Sequence, residues 1–428
     1  MSGYHLHQSS RLESFPERFP DIFLQKNPLS DPVYTVVQNS GLGEWLIRFL
    51  AKQQGAVMGA RILMPEQALR RFAAGYPTAR RLLLMEGAGE GVPEGKTFTR
   101  GLLFMDGMKL TVFKALEEVL SGDERIYDPL RNYMASLGSG STGSGGNATA
   151  RGERLWQLSD ALAGIFYHYG MNCLPLVEAW DRGESYFGSK ANSGDVAAEA
   201  WQRGLWRRIF GKDAPYTHLS RILSEVMVSG ESYDAEGFNP ELASSRLSNP
   251  PLKPARIVLF GSMFLGETGL RFFRYLAADF EVHHFILTPS KVFADSAGGG
   301  AADGTGSSPE GATAEQPFLR NNARLSAGFA ALLPVLDAGG GAADGIAADE
   351  NWENPGEGGA LLHRLRASMI EDAPLEGPVE DDGSLAFHNV SGPRRAVEVL
   401  KDRILEALRD DDNLAPTQIG VLAPDISR

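Results

Sequence analysis

The chain has 428 residues, a net charge of −13 and a single cysteine, Cys173. That length supports two or three domains with sizeable cores, and the charge excludes a protein that coats nucleic acid by positive charge alone. The lone thiol excludes an internal disulfide framework and suits a reducing, cytoplasmic setting.

In chain order, the N-terminus MSGYHLHQSSRLESF has neither a basic n-region nor an apolar h-region, so it does not read as a secretory signal. No apolar run reaches the roughly 18–20 residues that span a bilayer, so no membrane partner is expected. Gly3 to Glu13 reads as a short strand and a capped turn. Val33 to Val37 is an apolar, β-branched run of the buried-strand kind. It breaks at Gln38-Asn39-Ser40-Gly41 and resumes with Leu42, Trp45, Leu46, Phe49 and Leu50, one face of an α-helix with Ser40 as N-cap. Strand, tight turn and helix is where a P-loop ATPase keeps its phosphate cradle. Here Gln38 to Trp45 holds no Gly-Lys-Ser/Thr, so the turn has no means of gripping a triphosphate and its Mg²⁺. Arg61 to Met64 is a second short strand, and Pro65 opens a helix containing Leu69 and Phe72. Two consecutive βα units imply a parallel sheet with helical crossovers.

Leu82 to Met85 could be a strand, and the glycines from Gly87 to Gly95 with Lys96-Thr97 imitate a phosphate loop. The spacing fails, because Glu90 stands where the motif needs glycine; the stretch reads as a flexible connection. Met108–Tyr133, Leu155–Leu176 and Val196–Phe210 are helical. The second carries a stripe of Leu155, Leu158, Leu162, Ile165, Phe166 and Tyr169, and the third carries Trp201, Leu205, Trp206 and Ile209. Leu137 to Ala150, rich in Gly and Ser, reads as a flexible insertion. Arginines cluster at Arg70-Arg71, Arg80-Arg81, Arg203 with Arg207-Arg208, and Arg271 with Arg274; each reads either as a solvated helix face or as part of a basic groove.

The sheet returns at Ala255–Phe260, followed by a helix around Leu270–Ala277 and a strand at Glu281–Leu287. Neither strand ends in the Asp-Glu pair by which a helicase holds Mg²⁺ and orients water. Phe260 and Phe264 replace the glycines that a nucleophile elbow around Ser262 would need. His283 and His284 are adjacent in a strand, face opposite ways and cannot bind one metal from the same face; no catalytic or metal residue is assigned. Ser290 to Gly359 is low complexity, expected to be disordered apart from a helix around Phe318–Leu333. The chain closes with a strand at Leu385–Val390, an amphipathic helix through Val397, Leu400, Ile404, Leu405 and Leu408, and a buried strand at Ile419–Ala423.

VVQNSGLGEWL resembles the first strand-loop-helix of RecC, the gamma subunit of exodeoxyribonuclease V, through Val37, Gln38, Gly41, Leu42, Trp45 and Leu46. The Ser9–Glu13 turn is similar to that family's opening turn. Phe387-His388, Pro393-Arg394-Arg395, Val397–Leu400, Asp402, Leu405, Leu414, Pro416, Ile419, Val421 and Pro424–Ile426 fall on a closing block shared by RecC-like and AddB-like proteins. The resemblance rests on about sixty residues at the two ends. It implies an α/β, degenerate superfamily 1 (UvrD-like) helicase fold with a parallel sheet, a helical insertion and the start of a second motor domain. The expected divisions are 1–80 with 250–292 as the motor-like domain, 81–249 as the helical insertion, 293–380 as linker and 381–428 as the second domain's start.

The resemblance also implies a non-catalytic subunit that splits duplex ends, channels single strands and scans for Chi alongside RecB-like and RecD-like partners. ATP and Mg²⁺ would then serve the partners, and this chain would be the N-terminal part of a longer subunit. Carried over position by position, the strand-reading residues are Gln38, Ser40 and Glu44 on the retired loop, Met64 and Arg70 after the second strand, and Gly164, Ile165 and Tyr167 on the long helix. Gly164, Tyr167 and Arg70 depart from the residues of well-known members, Ile165 reads as core by its place in the stripe, and Gln38 could equally serve the turn. Two rivals remain: an active ATPase using Lys96, and a scaffold that binds only proteins.

Overall fold

The computed structural model describes residues 3–24, 32–86, 97–99, 101–136, 146–188, 193–211, 214–234, 254, 256–261, 265–295, 314–336, 347–352 and 359–423. The glycine-rich loop with Lys96 lies outside the described residues.

The N-terminal strand β1 (Gly3–Ser9) leads into two short helices, α1 (Ser14–Arg18) and α2 (Pro20–Phe23). The central unit follows as expected: β2 (Val33–Val37), α3 (Ser40–Gln54), β3 (Arg61–Leu63) and α4 (Pro65–Ala73). Then come α5 (Pro77–Leu83) and a small antiparallel pair, β4 (Leu84–Glu86) with β5 (Thr97–Thr99). Leu82 and Leu83 therefore belong to a helix rather than to the expected strand.

Next, β6 (Gly101–Leu102) precedes the helices α6 (Met105–Ser121), α7 (Asp128–Ser136), α8 (Gly146–Asn172), α9 (Leu174–Arg182) and α10 (Ser193–Phe210). The helix expected over Met108–Tyr133 is two helices, broken at Gly122, where the backbone is extended. The expected flexible insertion ends early, since Gly146 to Ala150 already belong to α8. A short strand β7 (Tyr216–Thr217) pairs with β6 and leads into α11 (Leu219–Ser229). The sheet resumes with β8 (Arg256–Phe260), α12 (Glu267–Leu276) and β9 (Glu281–Leu287). After α13 (Val292–Asp295), α14 (Pro317–Asn322) and α15 (Arg324–Ala330) comes β10 (Ala347–Asn351). The helix expected around Phe318–Leu333 is two short helices, and β10 corrects the reading of the rest of that region as disordered. Its sequence, AADEN, has no strand signature; β1 supplies the ladder that forms it.

Six of these strands form one parallel sheet in the order β10-β1-β9-β8-β2-β3. Side chains alternate between its faces. On one face Tyr4, Leu6, Tyr34, Val36, Ile257, Leu259, Val282 and Ile286 pack with Leu69, Phe72, Ile222, Phe272 and Phe273 of α4, α11 and α12. On the other, Val33, Val37, Val258, Phe260 and Phe285 meet Phe15, Phe23, Leu46 and Leu50 of α1 to α3. Gly43 lets α3 lie close, because a Cβ there would stand 2.9 Å from Ile62 Cγ2. A second core built by α6, α8, α9 and α10 centres on Leu116, Phe166, Trp180, Leu205 and Trp206. Tyr167 touches both cores. Among the described residues no helix is long and apolar enough to cross a membrane.

Residues 354–368 and 374–428 form a separate unit. It contains most of α16 (Leu361–Ile370) and α17 (Pro393–Asp410), the latter with no buried residue. The strands expected at Leu385–Val390 and Ile419–Ala423 are not formed. A strand exists only where a neighbour takes its N–H and C=O groups, and among the described residues none pairs with these. Phe387 is accordingly 85% exposed and Leu422 fully so.

Candidate nucleic-acid interface

β2 connects through α3 to β3 on one side, and its neighbour β8 connects through α12 to β9 on the other. The β2/β8 pair is therefore the point where strand order reverses, the place where open parallel sheets bind ligands beyond the carboxyl ends of their strands. The loop after β2 stands there as a capped turn. Asn39, not the expected Ser40, is the N-cap: its backbone is extended and its Oδ1 accepts the Leu42 N–H at 2.8 Å. Asn39 wins because it directly precedes the first helical residue, whereas Ser40 is already in the helix. A side chain thus occupies an N–H that a phosphate would otherwise use. Leu42 also leans across to β8, its Cδ2 lying 3.0 Å from the Cβ position of Gly261. Gly261 sits at a φ of 65°, which favours glycine.

Gln38 is half-buried at the strand end, and its buried Nε2 has no hydrogen-bond partner in the structure. Ser40 and Glu44 are exposed, with Glu44 3.5 Å from Arg48 one turn on. Since Val36 pairs with Leu63, Gln38 and Met64 leave neighbouring strand ends. Met64 packs with Leu42, Trp45 and Ile62 against the α3 core.

Arg70 lies on α4 with its guanidinium 4.0 Å from the Phe104 ring centroid and its buried Nε unpartnered by a hydrogen bond. One turn earlier on the same helix, Glu66 accepts a hydrogen bond from Tyr167 of α8. Burial first, and then the Glu66 charge and hydrogen bond, push the Tyr167 phenol up to about 12. The structure thus joins the β3–α4 group to α8 through Glu66, which the sequence reading missed. Its one sequence signal is its place a helical turn before Arg70. Ile165, read as core, is instead 40% exposed, and Gly164 has open space around its Cβ position. The stripe on α8 is narrower than the sequence implies, with Leu155, Leu162 and Phe166 supplying its buried part.

A hydrogen-bonded series in the helical unit has the composition of a hydrolase triad. Ser220 Oγ lies 2.6 Å from His218 Nδ1, His218 Nε2 lies 3.1 Å from Asp181 Oδ2, and Trp206 Nε1 donates to Asp181 Oδ1 at 2.8 Å. His218 Nδ1 also accepts the Arg221 N–H, which makes it the N-cap of α11 and leaves Nε2 to donate to Asp181. Burial pushes Asp181 up, but the hydrogen bonds from His218 and Trp206 win and hold it below the usual carboxylate range. Ser220 is buried against α8, 2.5 Å from the Gly170 Cβ position, with no room for an acyl substrate. The series fastens α11 to α9 and α10. We expect His218→Ala to lower stability by about 2 kcal/mol, since it strips the cap and leaves buried partners unpaired. Urea unfolding would measure it.

The arginine clusters are largely paired. Arg80 meets Asp234 at 2.8 Å, Arg81 meets Glu231 at 2.5 Å, Arg271 meets Glu267 at 2.6 Å, and Arg208 pairs with Glu124.

Residues 4–372 match the family model described as RecC, N-terminal domain. The chain is 27% identical over 318 residues to the RecBCD enzyme subunit RecC of Mycobacterium tuberculosis, covering 71% of this chain and 25% of that protein. It is 22% identical to the RecC subunit of Mycolicibacterium smegmatis, over 99% of this chain and 33% of that one. Against the RecC subunit of Escherichia coli K12 it is 21% identical, over 98% of this chain and 37% of that one. The chain therefore spans about a quarter to somewhat over a third of the length of these relatives. With most of its length matched by that family model, the chain belongs to the RecC family.

Proposed function

We propose that the chain is the N-terminal part of a non-catalytic, DNA-handling subunit of a RecBCD-type helicase and nuclease in recombinational repair of double-strand breaks, working in the cytoplasm. In this reading its sheet is a retired superfamily 1 (UvrD-like) motor domain, formed by 1–80 with 250–292. Residues 81–249 are its helical insertion, 293–380 a linker that also lends β10 to the sheet, and 381–428 the start of a second motor domain. RecB-like and RecD-like partners supply ATP hydrolysis. This subunit splits the duplex end, guides a single strand along the C-terminal edge of the sheet and reads it for a Chi-type sequence.

The observation that carries the reading is the capped turn at the reversal point, where Asn39 caps α3 and Leu42 covers Gly261. The cap takes up an N–H that a phosphate would use in a motor, while Ser40 and Glu44 are exposed beside it. The strand-reading set is Gln38, Ser40, Glu44, Met64, Arg70, Gly164, Ile165 and Tyr167. Gln38 and Arg70 favour it by each holding a buried nitrogen without a hydrogen-bond partner. Fluorescence anisotropy with a labelled single-stranded oligonucleotide at low salt tests the proposal. The Gln38→Ala/Ser40→Ala variant is expected to bind roughly 3- to 10-fold more weakly, the size of one or two lost polar contacts, and to keep its fold. A wild-type chain with no affinity for the strand would favour a protein scaffold. Nucleotide binding that vanishes in Lys96→Ala would favour an ATPase.

A further inference from the structure

The start of the sheet, the end opposite the reversal-point loops, gathers donor atoms that the DNA reading does not use. On β1, His5 and His7 alternate with Tyr4 and Leu6; on β9, Glu281 and His283 alternate with Val282 and His284. Parallel pairing sets His5 opposite His283 and Gly3 opposite Glu281. Glycine at position 3 leaves room there, and His5 Nε2 lies 3.5 Å from where its Cβ would be. The His5 and His283 rings stack with centroids 4.7 Å apart and planes 17° apart. One donor atom each from His5, Glu281 and His283 lies within 4.8 Å of the other two.

We propose that His5, Glu281 and His283 form a binding site for one divalent transition-metal ion of the zinc class. Two imidazoles and one carboxylate are a zinc ligand set, with water in the fourth position, and imidazole ligands select this class over calcium or magnesium. Metal–ligand bonds of about 2.0–2.2 Å require donors somewhat closer than 4.8 Å. The half-buried His5 side chain can swing in to close that gap, while His283 Nε2 already lies 3.2 Å from Glu281 Oε1.

The surroundings supply the outer support that such sites use. His283 Nδ1 lies 3.1 Å from His7 Nε2, so a proton held on Nδ1 leaves Nε2 to the metal. Arg256 donates to Glu281 Oε2 at 2.7 Å, which orients the carboxylate and leaves Oε1 turned toward the histidines. The Arg256 charge works against a cation, so the site binds more weakly than a set of the same ligands without it. An ion there clamps the first strand of the chain to β9. Spacing along the sequence hides the set, because its members come from strands far apart in the chain.

The test uses the full chain, stripped with EDTA, and zinc alone as the probe in equilibrium dialysis, with Co²⁺ absorption as a report on geometry. We expect one equivalent of zinc per chain, a tetrahedral Co²⁺ spectrum, and a thermal midpoint that rises with zinc. His5→Gln should weaken binding by more than about 100-fold and abolish the zinc-dependent rise, with an unchanged circular dichroism spectrum. His7→Gln should weaken it by about 10- to 100-fold, as loss of an outer partner does. Glu281→Gln should likewise weaken zinc binding by more than about 100-fold; if that variant does not fold, His5→Gln decides alone. Substoichiometric zinc in the wild type, or His5→Gln binding zinc as tightly as the wild type, overturns the proposal.

Discussion

Glu199→Ala is expected to destabilise the N-terminal unit by about 3–5 kcal/mol, the loss that follows when one member of a buried charged network is removed. Glu199 is buried on α10, and its carboxylate accepts three hydrogen bonds: Trp180 Nε1 at 3.0 Å, Ser185 Oγ at 2.6 Å and the Tyr186 N–H at 2.6 Å. The Arg203 guanidinium approaches to 4.0 Å. Alanine leaves all three donors without an acceptor in a water-poor interior. Glutamine keeps an acceptor and loses the charge, so Glu199→Gln should fall between alanine and wild type. The carboxylate also sets an acid dependence. Burial pushes its pKa up, but the hydrogen bonds from Ser185, Tyr186 and Trp180 outweigh that and hold it below the usual range. A group depressed on folding adds stability above its unfolded value, near 4.3, and loses it as pH falls through the folded value. Urea unfolding at pH 7 and at pH 4 should therefore show a smaller acid loss in Glu199→Gln than in wild type. Equal losses would remove Glu199 from the account of acid sensitivity.

Gly266→Val is expected to loosen the joint between the helical unit and the sheet by about 3 kcal/mol, the upper range for forcing atoms into a filled space. A Cβ at Gly266 would stand 2.5 Å from the Met171 carbonyl oxygen and 2.7 Å from Asn172 Oδ1. The backbone of α8 cannot yield there as a side-chain tip would. Beside it, Thr268 Oγ1 donates to the Gly170 carbonyl at 3.0 Å in a buried hydrogen bond that the displacement would break. Hydrogen exchange should speed selectively at the start of α12 and the end of α8, with β8 and β9 changing least. Uniform acceleration across the sheet would mean that the two cores unfold as one, and would count against a discrete joint.

Much of the sheet was legible because its strands are continuous β-branched or apolar runs bounded by turn residues. VYTVV, RIVLF and EVHHFIL each form where their composition places them. β10 was not legible, since AADEN becomes a strand only by borrowing a neighbour's hydrogen bonds. The converse error arose at Leu385–Val390 and Ile419–Ala423, whose strand-like sequences find no neighbour among the described residues. At the candidate site, the turn from Gln38 to Glu44 could be read directly from a local pattern. The Glu66–Tyr167 hydrogen bond could not, because it joins two elements by tertiary packing that no spacing rule encodes.

The strand order has a consequence for how the chain comes into being. β1 is synthesised first, yet its two partners are β9 and β10, and the Tyr4–His284 hydrogen bond spans 280 residues. At about 5–20 residues per second, a ribosome needs roughly 15–60 s to deliver β9 after β1 has emerged. Through that interval the β2–α3–β3 unit can close locally, while β1 waits as an unpaired edge with Tyr4 and Leu6 uncovered. Elongation rate, and whatever shields β1 during that wait, therefore govern the yield of folded protein.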